Sequence, residues 1–502
     1  MLEVKNHNLS EAKRNLIQKY LSGSFSQKGR ATRPITPRAI GAVVPPSLSQ
    51  EQLLLRETSR PQMPSLYNEC FTLRIPGCLD VAKLQESITE IIRRHEIWRT
   101  TFEIVNGSFV QVVQLPPKEI PLQTIDLCGL GEERTEEEVL RIAGELTQPG
   151  FDLSRGPLMR IKLLRIAAEE HRLLMAAHLS IIDGMSVYKL FPSELAQLYA
   201  AFCAGAPSPL PELPVQYGDY ALWQRSWLSD EEVSRQIAYW SKQLGGSLPM
   251  LRWPSDRPRP PVFTHRGDMQ RFRLGPELSD SIKELRRSEG VTLFSVLLAG
   301  FACLLYSYTS QADLAIGTPS PAGRKRSEVQ RLLGYFLNPV VIRIDLADDP
   351  SARELFRRVQ NRTAEAIAYD DVPIEVVAKR LQLEMALSCS SLFTVAISLQ
   401  PESTGDTGWR VTSMDASSGG AVWDLYLAFI DDKDEIIGRA QYNPDLFDGE
   451  TIRDAIQDLR TILDRIVADP ELKVSSLPHT VKQSSDPMKR VSSGNESNYT
   501  AG

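Results

Sequence analysis

The sequence predicts an α/β fold, because short apolar stretches of strand length alternate with amphipathic helical patterns along the chain. The stretches "RLLMAAH" (172–178) and "ADLAIGT" (312–318) are short and apolar enough to be buried strands. Residues 81–94 carry apolar side chains at helical spacing behind Asp80, a candidate N-cap residue. The chain has 502 residues, more than one hydrophobic core usually supports, so we expect two lobes.

Two further stretches predict individual elements. The alternation in "VVIRID" (340–345) is typical of a half-exposed strand. The stretch "LFSVLLAGFACLLY" (293–306) is shorter than the roughly 20 residues that span a bilayer, so it predicts a buried helix. Two proline clusters, at 205–214 and 253–262, bracket an aromatic-rich helical segment that we interpret as the joint between the lobes.

These patterns divide the chain into four parts: an N-terminal helix and linker (1–47), an N-terminal lobe (48–225), a C-terminal lobe (226–481) and a disordered tail (482–502). The first part is basic, with eight Lys or Arg and two Glu up to residue 48. It is either a solvated leader or a docking element for an acidic partner. The polar tail is a second candidate for docking.

Composition excludes several classes of function. The net charge of -6 forms no basic block, which disfavours nucleic acid as a partner. The N-terminus lacks the apolar core of a signal peptide, and the six cysteines lie apart in apolar contexts, so we expect a cytoplasmic protein with no metal site and no membrane contact. Gly-rich phosphate loops, HExxH and GxSxG are all missing, which disfavours nucleotide, zinc and serine-hydrolase chemistry.

A series of motifs nevertheless resembles one family, the condensation domains of nonribosomal peptide synthetases. The resemblance covers the chain from about residue 48 to residue 480, and its motifs occur in the family's order. They are "LSQEQLLL" (48–55), "RRHEIWRTTF" (93–102), "HLSIIDGMS" (178–186), "PVQYGDYALWQ" (214–224) with "YWSKQL" (239–244), "LLGYFLNPVVIRID" (332–345), "YDDVPIEVVAKRL" (369–381) and "QYNPDLFDGETI" (441–452).

The resemblance implies two chloramphenicol-acetyltransferase-like lobes arranged as a V, with a central tunnel. It implies a monomer that binds no cofactor of its own and works with a donor and an acceptor carrier protein, whose phosphopantetheine arms enter the tunnel from opposite faces. The reaction would be attack of an acceptor amine, or sometimes a hydroxyl, on a donor thioester. Asn-Pro at 338–339, in place of the commoner Asn-Thr, resembles condensation domains that work beside polyketide synthase modules.

The central motif departs from the family at one position. The family has two adjacent histidines in HHxxxDG, and the second handles the proton or positions the amine. Counting back from Asp183 and Gly184 places His178 at the first histidine and Leu179 at the second. Leucine cannot transfer a proton. His178 is the obvious substitute as a catalytic residue, although a histidine that ends a buried strand is more often a core residue.

Magnitudes decide whether activity can survive this change. General base assistance contributes typically ~10²- to 10⁴-fold, or about 3 to 5 kcal/mol of barrier. Holding two tethered reactants in place supplies up to ~7 to 11 kcal/mol. A neutral amine is already a nucleophile, so amide formation is compatible with leucine, whereas ester formation from a hydroxyl is disfavoured.

The remaining site residues follow from the same resemblance. It implies that Asp183 forms a salt bridge, with Arg343 or Arg99 as partner, and a carboxylate so paired makes a poor base. Gly184 would leave space beside the channel. Other channel candidates are Asn338, Trp423 and Asp424. In the helix after the motif, Pro192 lies beyond the first turn and predicts a kink or a restart.

Three hypotheses on function remain open. The first is amide formation between carrier-bound substrates by positioning alone. The second is an inactive condensation-like module that recruits carrier proteins or tailoring enzymes. The third is a changed reaction, cyclisation or dehydration, on a carrier-bound acyl chain, with Leu179 lining the pocket.

Overall fold

A computed structural model of the chain describes residues 34–59, 65–228, 230–245, 248, 250–383, 392–400, 408–412, 416–432 and 434–477. The predicted N-terminal helix and the predicted disordered tail lie outside these residues. The end of the predicted linker is described and runs along the first lobe. There Val44 bridges to Gln111, and Arg38 forms ion pairs with Glu96 and Asp219.

The helices begin where the sequence supplies caps. Ser47 accepts a hydrogen bond from the amide of Gln50, and Asp80 caps its helix as predicted. In the described residues the α-helices are α1 (Leu48–Thr58), α2 (Val81–Arg94), α3 (Glu132–Thr147), α4 (Phe191–Cys203), α5 (Tyr217–Trp227), α6 (Asp230–Leu244), α7 (Pro276–Glu289), α8 (Leu293–Thr309), α9 (Ala352–Ala368), α10 (Ile374–Arg380) and α11 (Gly449–Ala468).

The strands form two large sheets and one hairpin. The strands in the described residues are β1 (Asn68–Pro76), β2 (Thr100–Val105), β3 (Ser108–Val113), β4 (Gln123–Asp126), β5 (Met159–Ala167), β6 (Glu170–His178), β7 (Asp268–Arg273), β8 (Asp313–Ser320), β9 (Asn338–Asp345), β10 (Val395–Gln400), β11 (Arg410–Thr412), β12 (Leu425–Asp432) and β13 (Glu435–Tyr442). The first sheet has the order β11-β1-β6-β5-β4, the second β7-β13-β12-β10-β8-β9, and β2 pairs with β3.

Each large sheet has its own core. In the first lobe, α2 and α4 bury apolar side chains such as Ile88 and Phe191 in the core that includes Phe71 of β1. In the second lobe α8 is buried except at Tyr306 and Thr309, which confirms the buried helix predicted from its apolar run. Among the described helices none is by itself long and apolar enough to cross a membrane, and only the pair α7 and α8, bent by 109°, passes that criterion together.

Two segments of the second half of the chain lie in the first lobe. The segment between β8 and β9 (321–337) places Val329, Leu332 and Phe336 in the first core. Strand β11, between β10 and β12, pairs antiparallel with β1. The predicted division between residues 225 and 226 lies inside α5, so chain order alone does not separate the lobes.

The prediction of a half-exposed strand at "VVIRID" is wrong. Val340, Val341, Ile342 and Ile344 are all buried, although β9 is an edge strand of its sheet. Helices α9 and α10 both pack against β9, and their apolar side chains cover this strand. Alternating polarity along the strand therefore did not reflect exposure.

Candidate active site

A cavity of about 200 Å³ lies between the two sheets, next to the HLSIIDG motif. Strand β6 carries the motif to this point, since its last residue, His178, pairs with Asn68 of β1. The chain then turns through residues 179–181, where the amide of Leu179 donates to the carbonyl of Tyr67 at 2.7 Å. This turn places neighbouring residues of the motif in different surroundings.

His178 lies behind the cavity wall and does not line the cavity. Its side chain is fully buried, and its Nδ1 accepts the amide hydrogen of Ser180 (3.3 Å) and lies 2.8 Å from the Ser180 Oγ. The rings of Tyr67 and Phe151 contact it edge-on. Burial lowers the pKa of His178 to about 3, so the imidazole is neutral. Its assignment as a catalytic substitute is corrected: it is a buried residue of the turn.

Leu179 lines the cavity, at the position where the family has its second histidine. It packs against an apolar group formed by Leu53 of α1, Tyr67, Tyr335 and Leu337. The position that the resemblance assigns to proton transfer therefore presents only aliphatic carbon to the cavity.

Asp183 forms its salt bridge with Arg324, and the prediction of Arg343 or Arg99 as its partner is wrong. Arg324 Nε lies 2.7 Å from one carboxylate oxygen of Asp183, and Arg324 Nη2 lies 2.7 Å from the other. Both side chains are buried. Ser186 completes the arrangement, because its amide and its hydroxyl both donate to Asp183 at 2.8 Å. Asp183 thus fixes the turn and attaches it to the segment between β8 and β9.

The two rejected arginines have partners of their own nearby. Arg343 on β9 forms a bidentate pair with Asp313 on the neighbouring strand β8, at 2.6 Å. Arg99 donates to the carbonyl of Gln114, which follows β3. Each is engaged within its own sheet or hairpin, so neither reaches Asp183. Gly184, directly after Asp183, lines the cavity.

The helix after the motif is interrupted before Pro192, which predicted a kink or a restart, and the interruption takes the form of a wide turn. Residues Ser186–Leu190 form a π-helical turn, in which the amide of Phe191 donates to the carbonyl of Ser186. Pro192 then lies in the first turn of α4, where its missing amide hydrogen costs little. The wide turn accommodates Pro192, and Val187 within this turn lines the cavity.

The opposite wall of the cavity comes from the second lobe and contains two of the three remaining channel candidates. Asn338 and Trp423 line the cavity. Asp424 does not: its carboxylate pairs with Arg259, and the two line a separate cavity. The prediction of Asp424 as a channel residue is therefore corrected, because it stabilises the segment at Arg259 instead.

A second buried ion cluster, which the sequence patterns did not predict, supports this wall. Lys325 follows Arg324 directly, and its Nζ pairs with Asp370, lies 3.3 Å from Asp371 Oδ1 and donates to the carbonyl of Ile367 at 3.0 Å. The hydroxyl of Ser320, at the end of β8, also donates to Asp370. The run of three cations in "RKR" (324–326) after a buried strand was the available signal.

Two more ion pairs join the lobes at the edges of the cavity. Arg56 of α1 pairs with Glu375 of α10 at 2.6 Å, and both residues line the cavity. Glu69 of β1 also lines it and lies 3.5 Å from Arg439 of β13. The ionisable groups named at the cavity are thus all engaged with a charge of opposite sign.

Fold and site define a two-lobed α/β protein of the chloramphenicol-acetyltransferase-like class. A model of the condensation domain family matches residues 42–486, and the chain belongs to that family. The chain is 40% identical over 442 residues to a linear gramicidin synthase of Brevibacillus parabrevis, and the match covers 87% of the chain and 9% of that synthase. The family match and such relatives support a condensation domain of nonribosomal peptide biosynthesis. The chain spans less than a tenth of this relative.

Solved structures agree with this fold. The chain resembles the X-domain in its complex with OxyB from teicoplanin biosynthesis, with a TM-score of 0.74, 27% identity and coverage of 91% of this chain and 100% of that one. It also resembles the first condensation domain of the CDA synthetase, with a TM-score of 0.77, 19% identity and coverage of 87% and 99%. At 19% identity the second likeness concerns the fold alone.

Proposed function

We propose that this chain joins a carrier-bound acyl or peptidyl donor thioester to an acceptor amine, and that positioning replaces the histidine base. Condensation domains work with carrier protein domains and act on the substrates that these carry. For this chain we propose two cytoplasmic carriers, one donor and one acceptor, whose phosphopantetheine arms meet in the cavity, with no cofactor of its own. The synthetase makes a peptide or a hybrid of peptide and polyketide.

One observation carries the proposal: Leu179 lines the cavity where the family has a histidine, and no imidazole from the described residues replaces it. The described residues contain four histidines, and none of them lines the cavity. They are His95, His171, His178 and His265. Both carboxylate oxygens of Asp183 are engaged by Arg324, and one of them also by Ser186.

The reaction can proceed without a base in the cavity. The neutral amine attacks the thioester carbonyl, the new C–N bond forms, the C–S bond breaks, and the proton lost by nitrogen passes to the departing thiolate. Correct placement of the two reactants supplies up to ~7 to 11 kcal/mol, which exceeds the about 3 to 5 kcal/mol that a general base typically adds. A hydroxyl acceptor, which needs deprotonation, is disfavoured.

The test is acyl transfer between two loaded carrier proteins, followed by intact mass. Wild type is compared with Leu179→His, which restores the family residue, and with Leu179→Gln, a polar control of similar length that is no base. We expect product from wild type, an unchanged or higher rate for Leu179→His, and no gain for Leu179→Gln. Absence of product with every cognate carrier pair would remove the proposal.

The same experiment identifies the two other hypotheses. Carrier binding without turnover would indicate a recruitment module, a role that the similar X-domain, in complex with OxyB, makes worth testing. A loaded carrier that loses the mass of one water would indicate dehydration or cyclisation. Docking through the basic N-terminal segment or the tail concerns residues of which only 34–47 belong to the described structure.

A further inference from the structure

Asn338 carries a hydrogen-bond acceptor that the protein leaves unused. It begins β9, is 2% exposed and lines the cavity. Its Nδ2 donates to the carbonyls of Asp370 and Val372, at 2.5 and 2.9 Å. Because carbonyl oxygens only accept, these two bonds fix the amide orientation and turn Oδ1 away from the 370–372 loop. Oδ1 has no hydrogen-bond partner within the described residues.

The loop that orients Asn338 is itself held firmly. Asp370 pairs with Lys325, whose Nζ also binds the carbonyl of Ile367. Gln236 of α6 accepts from the amides of Asp371 and Val372, both at 3.1 Å. Asn338 Oδ1 therefore occupies a defined position rather than one of several rotamers.

Trp423 carries the complementary group, a donor without an acceptor. Its indole ring stacks on Phe393 with an interplanar angle of 27° and lies against Tyr426. Gly317 makes this possible, because a Cβ there would lie 1.8 Å from the Phe393 ring. Trp423 lines the same cavity as Asn338, and its Nε1 has no hydrogen-bond partner within the described residues.

An unpaired buried polar group costs about 1–3 kcal/mol, and native proteins contain few of them. On the wall of this cavity Asn338 offers an acceptor and Trp423 a donor, which together match an amide, with its one N–H and one C=O; the hydroxyl of Thr363 is a further group among the lining residues that is unpaired in the described structure. We propose that this wall binds an amide group of the carrier-bound substrate, with its N–H donating to Asn338 Oδ1 and its C=O accepting from Trp423 Nε1. Both are then specificity-determining residues; the inference rests on the proposed function and names its substrate class.

The charges around the cavity agree with an uncharged ligand. Asp183 is neutralised by Arg324, Glu375 by Arg56, and Glu69 lies beside Arg439. The same amide chemistry has two sources, the phosphopantetheine arm or an aminoacyl or peptidyl group with an acylated nitrogen. The experiment separates them.

The experiment measures binding of unreactive thioether analogues by calorimetry. One set places the acyl chain on pantetheine or on an amide-free alkyl arm, and a second set compares an N-acylaminoacyl chain with its amide-free isostere. Trp423→Phe keeps a smaller ring to stack on Phe393 and loses the indole N–H. The lost ring area affects all analogues alike, so we expect amide-bearing analogues to lose about 5- to 10-fold more affinity than amide-free ones. The set that shows the difference identifies the source.

Trp253→Phe is the matched control. Its Nε1 is also buried without a partner, and its ring stacks on Tyr308, but it does not line this cavity. It should change none of the affinities. Asn338→Leu should show the same preference as Trp423→Phe, with folding checked by thermal unfolding.

Equal weakening of amide-bearing and amide-free analogues by Trp423→Phe, or no weakening of either, would overturn the inference. Binding does not require turnover. If the amide preference holds but loaded carriers give no product, the proposed reaction fails and the amide site stands.

Discussion

The two walls of the cavity use their polar groups in opposite ways. The wall from the first lobe consists of residues 178–186. Its Asp183 and Ser186 both accept hydrogen bonds from Arg324, and its aliphatic Leu179 faces the cavity. The wall from the second lobe keeps an acceptor on Asn338 and a donor on Trp423 without protein partners in the described structure. The motif wall therefore acts as a scaffold, whereas the opposite wall has the unpaired groups of Asn338 and Trp423 that we propose bind an amide.

The largest effect on stability is expected from removing the buried ion pair between Asp183 and Arg324. Arg324→Met leaves Asp183 buried without its cation and should lower the free energy of unfolding by about 3–5 kcal/mol. Chemical denaturation measures this loss. The control is Arg326→Met, two residues on, whose half-buried pair with Glu328 should contribute less than about 1 kcal/mol. Similar losses for both variants would contradict a special contribution of the buried Arg324–Asp183 pair to stability.

A smaller loss is expected when the second wall alone is weakened. Lys325→Met leaves Asp370 buried beside Asp371 and should cost about 3 kcal/mol in denaturation. Adding Asp370→Leu removes the uncompensated charge, so the double variant should recover part of the loss. A double variant that is worse than Lys325→Met would show that Asp370 matters mainly through Ser320.

The third effect in size is the loss of stability on acidification, which we expect from the buried His178. Folded His178 has a pKa of about 3 and the unfolded chain one near 6.5, so between these values the unfolded state binds the extra proton. Stability therefore falls as pH decreases below about 6.5, by about 1.4 kcal/mol per pH unit, or about 2 kcal/mol at pH 5. His178→Asn should remove this increment. Urea denaturation at pH 5 and pH 7.5 compares the two proteins, and identical pH dependence would speak against a neutral His178.

The smallest effect on stability is expected at Ser186, which donates a hydrogen bond to Asp183 and begins the π-helical turn. Ser186→Ala removes a hydroxyl that donates to Asp183 and accepts from the amide of Gly334, and should cost about 1 kcal/mol. Ser193→Ala, on the exposed side of α4, should be close to neutral. The unfolding temperatures of both variants provide the measurement. Equal shifts would show that the hydrogen bonds of Ser186 do not contribute to stability.

Sequence patterns correctly predicted those structural features that depend mainly on neighbouring residues. The apolar runs predicted β6, β8 and α8, Asp80 predicted the start of α2, and Pro192 predicted the break that became a π-helical turn. The resemblance to the family placed Leu179 at the cavity. These features depend on neighbours a few residues away, which a sequence displays directly.

The partners of buried charges could not be predicted in the same way. Arg324 lies 141 positions from Asp183, and Arg259 lies 165 positions from Asp424. Each pairing is decided by which loops the sheets bring together. Arg343 has a carboxylate on the adjacent strand, and this nearer partner takes it away from the cavity.

The segment between β8 and β9 has a consequence for recombination of such synthetases. By chain order Arg324 belongs to the second lobe, yet it neutralises an aspartate of the first, and β11 completes the first sheet in the same manner. A chimaera joined anywhere between residues 184 and 323 would inherit its aspartate from one parent and its arginine from the other. We expect exchange of the undivided domain to keep this buried pair intact.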